Sequence, residues 1–466
     1  MVTIYFDKQV FSHLRNAKEE KYVKLYEKIS SHKDEFIFLF SNAHLFDLKQ
    51  DKTEIKYGEM EFIQSIVNSN RMVYDKHEED EQPYLMVYKE SPLSAFDRVG
   101  EMGDSSWIEK IETSQLTEEQ RNVINNIIDI FTKEQMGQLE SNWLVNRQPV
   151  SLETLQINKD TLVSLMRNVE NVFYKSTDGY KIIRDNVIST YKHWLENTKC
   201  QNDFNTLLEA SPLGLSFTNA VKAAIVQCGL PSSDKAMEYY VSYILLDLFG
   251  ISKEPRKKVN FRNMQTDCIH SFFGSFCDCI VSEDEGVRDK SLKLYNLYGI
   301  TTKVYSIDEF IDAFDEAIAN NRKSLYEFLE QINRDYGLKQ IIRIDNAAQY
   351  TLTYLQASSE YFGYFTGMAE LSTAEDTTLI LYKNKWTNQM LLLNEIKILV
   401  NRIANAFNEI GIQFPLFNPD AEYPLIQEDK WDRTLRLNNV NFCLTKLKGT
   451  PTLCLLIRLK QITHVA

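Results

Sequence analysis

The sequence predicts an α/β fold: a parallel sheet with helices on both faces, interrupted by an all-helical insertion and followed by a C-terminal α+β region. Three observations carry this. Runs such as Phe36-Ile37-Phe38-Leu39-Phe40 are apolar at every position, which suits strands covered on both faces. They alternate with amphipathic segments long enough to be helical crossovers. Strand-like runs give way to helical patterns between about residues 76 and 255, and the α/β alternation then resumes.

Residues 2–6, Val-Thr-Ile-Tyr-Phe, form the first strand, and a helical segment reaches about Ser30 through Val10, Leu14, Val23, Leu25 and Ile29. After the second strand, Ser41 can cap a helix ending near Gln50, and Met60, Phe62, Ile63, Ile66 and Val67 mark another. The insertion contains expected helices at Glu118 to Gln135, Leu152 to Val172, Gly179 to Asn197, Phe217 to Gln227 and Lys235 to Leu248. A helix near Asn263 to Phe273, a strand from Cys279 to Ser282, a helix to Leu297, a strand from Thr302 to Tyr305 and a helix from Ile307 complete the domain. The expected division is therefore 1–75 with 256–322, an insertion at 76–255, and a C-terminal region at 323–466. That last region has strands at Gln340 to Ile344 and Thr378 to Tyr382, a helix from Leu391 to Phe407, and a hairpin from Val440 to Leu459.

Composition bounds the partners. The chain has 466 residues, 44 % of them hydrophobic, so more than one core is expected. A net charge of −13 argues against coating nucleic acid or an anionic membrane by bulk charge, so a polyanionic substrate has to be held locally. The longest apolar stretch, Tyr239 to Ile251, is far short of the roughly 20 residues that span a bilayer. The N-terminus reads as a strand and not a signal peptide, and with seven scattered cysteines a cytoplasmic protein with reduced thiols is expected. Cys268, His270, Cys277 and Cys279 cluster in sequence, but their spacing matches no common zinc motif, and core thiols are the expectation.

The chemistry-bearing pattern is a set of acids at strand ends. In an open parallel sheet, ligands bind beyond the carboxyl ends of the strands. Asp7 directly follows the first strand, Asp284 follows Cys279 to Ser282, Asp47 lies in the helix after the second strand, and Asp267 lies in the helix before the third. Several carboxylates from different elements suit one or two hard divalent cations, which prefer oxygen donors. Two such ions would activate water and stabilise the leaving oxygen in phosphodiester cleavage. Each acid alone has a structural reading as a turn, cap or solvated helix residue; Ser282 and Glu285 have capping-box spacing around Asp284. Asp278 and Glu283 are reserve ligands, and Asp278, which precedes its strand, reads as structural.

Together, Ile4-Tyr5-Phe6-Asp7, Ser41-Asn42-Ala43-His44-Leu45-Phe46-Asp47, Thr266-Asp267-Cys268-Ile269-His270, Cys277 to Asp284 with Arg288-Asp289-Lys290, and Thr302 to Phe310 resemble the PIN-domain nuclease family. The resemblance covers about residues 1–75 and 258–320, departing from the family in Ser282, where Thr is frequent, and in the long insertion. It implies a PIN-like nuclease domain and a Mg²⁺- or Mn²⁺-dependent endonuclease with Asp7, Asp47, Asp267 and Asp284 as catalytic metal ligands. RNA is the favoured substrate and DNA the alternative, and by family analogy the enzyme is a conditional stress or defence effector. The insertion and C-terminal region would then serve regulation, substrate choice or self-assembly, with a homo-oligomer or regulatory protein as partner. The alternative in a different class is a non-catalytic PIN-like scaffold or binding module.

Around these acids, Arg256, Lys257, Lys258 and Arg262 form the clearest basic cluster, which reads first as a solvated linker face and second as a holder of substrate phosphates with help from Arg288 and Lys290. His44 and His270 each lie three residues from a proposed acid, Asp47 and Asp267, and read first as partly buried, hydrogen-bonded histidines and second as groups that orient those carboxylates; Ser282 is expected to cap its helix or contact phosphate. A Gly-rich phosphate loop, His-Glu-x-x-His and Gly-x-Ser-x-Gly are all absent from the sequence.

Overall fold

The first strand, β1 (Thr3–Phe6), is buried at every residue, and so is β2 (Ile37–Ser41), as their unalternating sequences require. A computed structural model of the chain describes residues 2–75, 84–100, 214–227, 234–252, 261–374, 376–383, 389–437, 440–450 and 452–459, with short pieces between 144 and 209. Helices α1 (Lys8–Asn16) and α2 (Glu20–His32) connect β1 to β2, and α3 (Asn42–Gln50) and α4 (Ile55–Val67) lead to β3 (Asn70–Asp75). A fourth strand, β4 (Tyr84–Lys89), runs antiparallel to β3 and is followed by α5 (Pro92–Arg98). This strand lies inside the stretch expected to be purely helical, so the sheet extends past residue 75. The sequence pattern missed it because β4 is a short apolar run directly after a charged stretch, and periodicity alone does not separate such a run from a helical segment.

Further on come α6 (Phe217–Gln227) and α7 (Lys235–Leu248), both at their expected positions, and α8 (Phe261–Gly274). The expected helices at 118–135 and 152–172 lie outside the described residues. Strand β5 (Cys279–Val281), α9 (Glu285–Tyr298), β6 (Lys303–Tyr305) and α10 (Ile307–Asn321) then complete a sheet of order β4-β3-β2-β1-β5-β6. All its pairings except β3 with β4 are parallel.

The two faces of the sheet bury different side chains. Ile4, Phe6, Phe38, Phe40, Cys279 and Val281 pack with residues of α1 to α4 and α10. The alternate residues Tyr5, Ile37, Leu39 and Ile280 pack with α7 to α9 and on into the C-terminal region. Fully burying each large apolar side chain stabilises by ~1.5–3 kcal/mol, so both layers are held by the sheet itself. Gly274 ends α8 against β5; a Cβ there would lie 2.7 Å from the Ile280 side chain, so the close approach requires glycine.

The C-terminal region begins with α11 (Leu325–Leu338). It builds a seven-stranded antiparallel sheet from β7 (Ile341–Asn346), β8 (Thr351–Leu355), β9 (Gly367–Ser372), β10 (Thr377–Tyr382), β11 (Asp432–Leu437), β12 (Val440–Lys446) and β13 (Leu453–Leu459). The spatial order is β11-β12-β13-β10-β9-β8-β7. Helices α12 (Gln389–Asn408) and α13 (Pro419–Gln427) intervene in sequence. The expected terminal hairpin is present as β12 and β13. Among the described residues, no helix is long and apolar enough to cross a membrane.

Candidate functional site

At the carboxyl end of the parallel sheet, β1 lies between β2 and β5, and the order of connection reverses between β1 and β5. Ligands of open α/β sheets bind at such a reversal. Four helices begin there, capped by Asp7 for α1, Ser41 for α3, Asp284 for α9 and Ser306 for α10. Their N-terminal dipoles favour negative charge at this edge.

Asp7 is 4 % exposed and its backbone N–H donates to Val281 O at 3.0 Å, which locks the acid between the two strands. Its Oδ1 accepts from Gln9 N–H at 2.6 Å, and its Oδ2 accepts from the Ser282 hydroxyl. Burial pushes the Asp7 carboxyl above its ordinary pKa, against the pull of His270, Ser282 and the Gln9 N–H. The Ser282 hydroxyl in turn accepts from Asp284 N–H at 3.1 Å, while Asp284 Oδ1 accepts from Val287 N–H at 3.0 Å. Ser282 therefore links the two principal acids, and Arg288 joins them by donating to Ser282 O at 2.7 Å.

Asp47 is reached from the other side. His270 Nε2 lies 3.1 Å from Asp47 Oδ2, with the imidazole 2 % and the carboxylate 26 % exposed. His270 Nδ1 lies 2.9 Å from the Tyr5 hydroxyl, which is 2.6 Å from the Ser41 hydroxyl. With Nε2–H donating to Asp47, the chain runs from Ser41 to Tyr5 to His270 to Asp47, each hydroxyl donating to the next group. Burial raises the Tyr5 phenol well above its ordinary pKa, so it stays a neutral donor. Tyr5 and Ser41 were not singled out by sequence, because their partners are 265 and 36 residues away and no local pattern joins them.

His270 thus meets Asp47 and not Asp267, its neighbour in sequence, and His44 orients no acid. The His44 Nδ1 accepts from Ser41 N–H at 3.1 Å in a capping box, and its Nε2–H donates to Phe6 O at 2.7 Å. Burial holds this imidazole well below its ordinary pKa, and its role is to tie α3 to β1. Asp267 is half-buried on α8, one turn before His270. Glu283 accepts from Ile307 N–H at 2.6 Å and so steadies the start of α10.

Lys290, expected at the phosphates, is fully buried; its Nζ lies 3.8 Å from Asp247 and 5.1 Å from the Tyr243 ring centre. Asp247 also faces Arg184 at 3.4 Å and accepts from the Tyr180 hydroxyl at 2.9 Å. Lys290 is therefore part of a buried network joining α9 to α7. Arg262 is half-buried at the start of α8, and Arg256, Lys257 and Lys258 lie outside the described residues. Cys277 and Cys279 are buried free thiols on opposite faces of the sheet, in separate apolar clusters, and Cys268 is a third buried thiol.

The acids are oxygen donors of the right kind for Mg²⁺ or Mn²⁺. Their positions fit less well: among the described residues, no group of three or more His, Cys, Asp or Glu side chains is placed to hold a metal ion. A cavity of about 950 Å³ opens at the opposite edge of the sheet, between β2 and α12, and none of the candidate acids lines it. No protein family, curated protein or solved structure matches the chain.

Proposed function

We propose that the carboxyl edge between β1 and β5 is the active site of a PIN-like nuclease that hydrolyses phosphodiester bonds, in RNA before DNA. The observation that supports it most is the pairing of Asp7 and Asp284 through Ser282 at the sheet reversal, ringed by helix N-termini. Helix N-termini attract a phosphate, whereas buried carboxylates repel one unless a cation intervenes, so the mixture suits a phosphate accompanied by Mg²⁺ or Mn²⁺. Among the described residues the acids do not assemble a three-donor group. The chain's own residues do the following: Ser282 holds Asp7, His270 aims Asp47, and Arg288 places positive charge beside Ser282.

One observation favours a second reading, a non-catalytic binding module: Asp7 and Asp284 already serve as helix caps. Cleavage of labelled single-stranded RNA and DNA with Mg²⁺, Mn²⁺ or EDTA separates the two. An Asp7→Asn/Asp284→Asn variant that stays folded should lose metal-dependent cutting by ~100-fold or more. Absence of cutting by the wild type, with no shift in its melt on adding either cation, would establish the binding-module reading instead.

A further inference from the structure

Strand β7 ends the antiparallel sheet, is exposed along its whole length, and has no strand on its outer side among the described residues. Ile341, Ile342 and Ile344 are 55, 62 and 49 % exposed, beside Leu338 at 62 % and Tyr350 at 46 %. Natural sheets guard such edges with charge, bulges or cover, because a free apolar edge pairs with other strands. The opposite edge is polar at every exposed position of β11, Asp432, Thr434 and Arg436, whereas β7 mixes Arg343 and Asp345 with three exposed isoleucines.

The pairing of β7 with β8 decides which groups face outward. Ala347 N–H donates to Tyr350 O at 2.9 Å, and the register sets Asp345 opposite Leu352 and Arg343 opposite Tyr354. Antiparallel ladders alternate, so residues 343, 345 and 347 turn their N–H and C=O groups toward β8. Residues 344 and 346 turn theirs outward, and Ile342, skipped where the register shifts between Tyr354 and Leu355, is a bulge residue.

We propose that β7 is a homodimerisation edge: two copies pair antiparallel about a two-fold axis at Ile344, fusing their sheets. Pairing outward groups with outward groups restricts the axis to a residue position. With the axis at Ile344, the ladder joins Ile344 to the partner's Ile344, with Asn346 of each copy beside the bulged Ile342 of the other. The same register sets Arg343 opposite the partner's Asp345 and Asp345 opposite the partner's Arg343. Moving the axis by one residue opposes like charges, arginine with arginine or aspartate with aspartate, which disfavours both neighbouring registers. The arginine is already held for this role, over the Tyr354 ring at 4.2 Å and 2.8 Å from Asp345 of its own strand. On the other face, Ile344 of both copies would cover one another. An isologous contact of this kind closes at two copies.

Light scattering coupled to size exclusion, on the full chain, tests this. The wild type should reach twice the 54.4 kDa monomer mass as concentration rises into the micromolar range. Arg343→Asp and Asp345→Arg should each stay monomeric, since each opposes like charges across the axis. Mixed, they should form a dimer, because one edge is then all acidic and the other all basic. A salt link within one strand does not produce that complementation. Both substitutions sit on an exposed edge, and unchanged melting midpoints confirm that neither acts by unfolding the chain. A wild type that keeps the monomer mass throughout, single reversals that remain dimeric, or a mixture that stays monomeric would overturn the proposal.

Discussion

The two ends of the parallel sheet both bury carboxylates, and they neutralise them in opposite ways. At the amino end, Asp278 accepts from Val2 and Thr3 N–H and meets Lys383 at 3.1 Å. Lys383, 2 % exposed, also bonds Glu395 at 3.0 Å and lies 4.4 Å from the Tyr364 ring centre. Burial pulls the Lys383 ammonium down, but Asp278 and Glu395 together push it above its ordinary pKa. This cluster is a clamp: it joins the α/β domain to the C-terminal sheet and leaves its ammonium fully engaged. At the carboxyl end, Asp7, Asp47 and Asp284 are held by hydroxyls, an imidazole and backbone N–H groups, with Arg288 bonded to a carbonyl beside them. The fold thus completes an ionic clamp at one edge and neutralises the acids of the other without one, and the cation or ligand proposed for the carboxyl edge rests on that contrast.

The largest expected effect breaks the clamp. Lys383→Met leaves Asp278 and Glu395 buried without their cation and should destabilise the chain by ~3–5 kcal/mol, read from urea unfolding. A loss below ~1 kcal/mol would show that the amino edge is as loosely neutralised as the carboxyl edge, and the contrast would fail. Lys290→Met should follow at about 1–2 kcal/mol, because Asp247 loses one of its two buried cations but keeps Arg184 and the Tyr180 hydroxyl. It should leave the salt dependence of nucleic-acid binding unaltered, whereas a phosphate-contacting lysine would reduce the slope.

At the carboxyl edge the sign should reverse. Asp7→Asn keeps a side chain that caps α1 well and removes a buried charge, so it should stabilise by ~1 kcal/mol while abolishing cutting. Destabilisation by a similar amount would mean that the charge itself holds the edge together, and Asp7 would then resemble Asp278.

Much of the scaffold was legible in the sequence and less of the site. The unalternating runs at Thr3–Phe6, Ile37–Ser41 and Cys279–Val281 identified the parallel core because full burial on both faces leaves a purely apolar signature. The acids at strand ends were visible because a strand followed by Asp is a local pattern. The division of labour among the other polar residues was not. Lys290 looks like a solvated helix cation until α7 brings Asp247 to it, and His44 and His270 each lie three residues from an acid in sequence. Only tertiary contacts decide that one bonds a backbone carbonyl and the other a carboxylate.

Two buried groups, His44 and Asp7, give the smallest and most diagnostic effect, a pH dependence with two opposing parts. His44 titrates well below its ordinary value in the folded chain, so on acidification through about pH 6.5 the unfolded chain takes up this proton first. Its contribution to stability is present above that pH and is lost as pH falls toward the folded value, with a limiting slope of ~1.4 kcal/mol per pH unit. Asp7 titrates above its ordinary value when folded, so it acts the other way. Its contribution is fully present below the unfolded value near ~3.9 and is lost as pH rises through the folded one. His44→Gln, which keeps capping-box chemistry, should flatten the loss of stability below neutral pH, and Asp7→Asn should steepen the loss further into acid. Urea midpoints across the acid range measure both slopes. Parallel curves for Asp7→Asn and wild type would show that Asp7 titrates normally, and the buried, cation-poor character assigned to the carboxyl edge would be wrong.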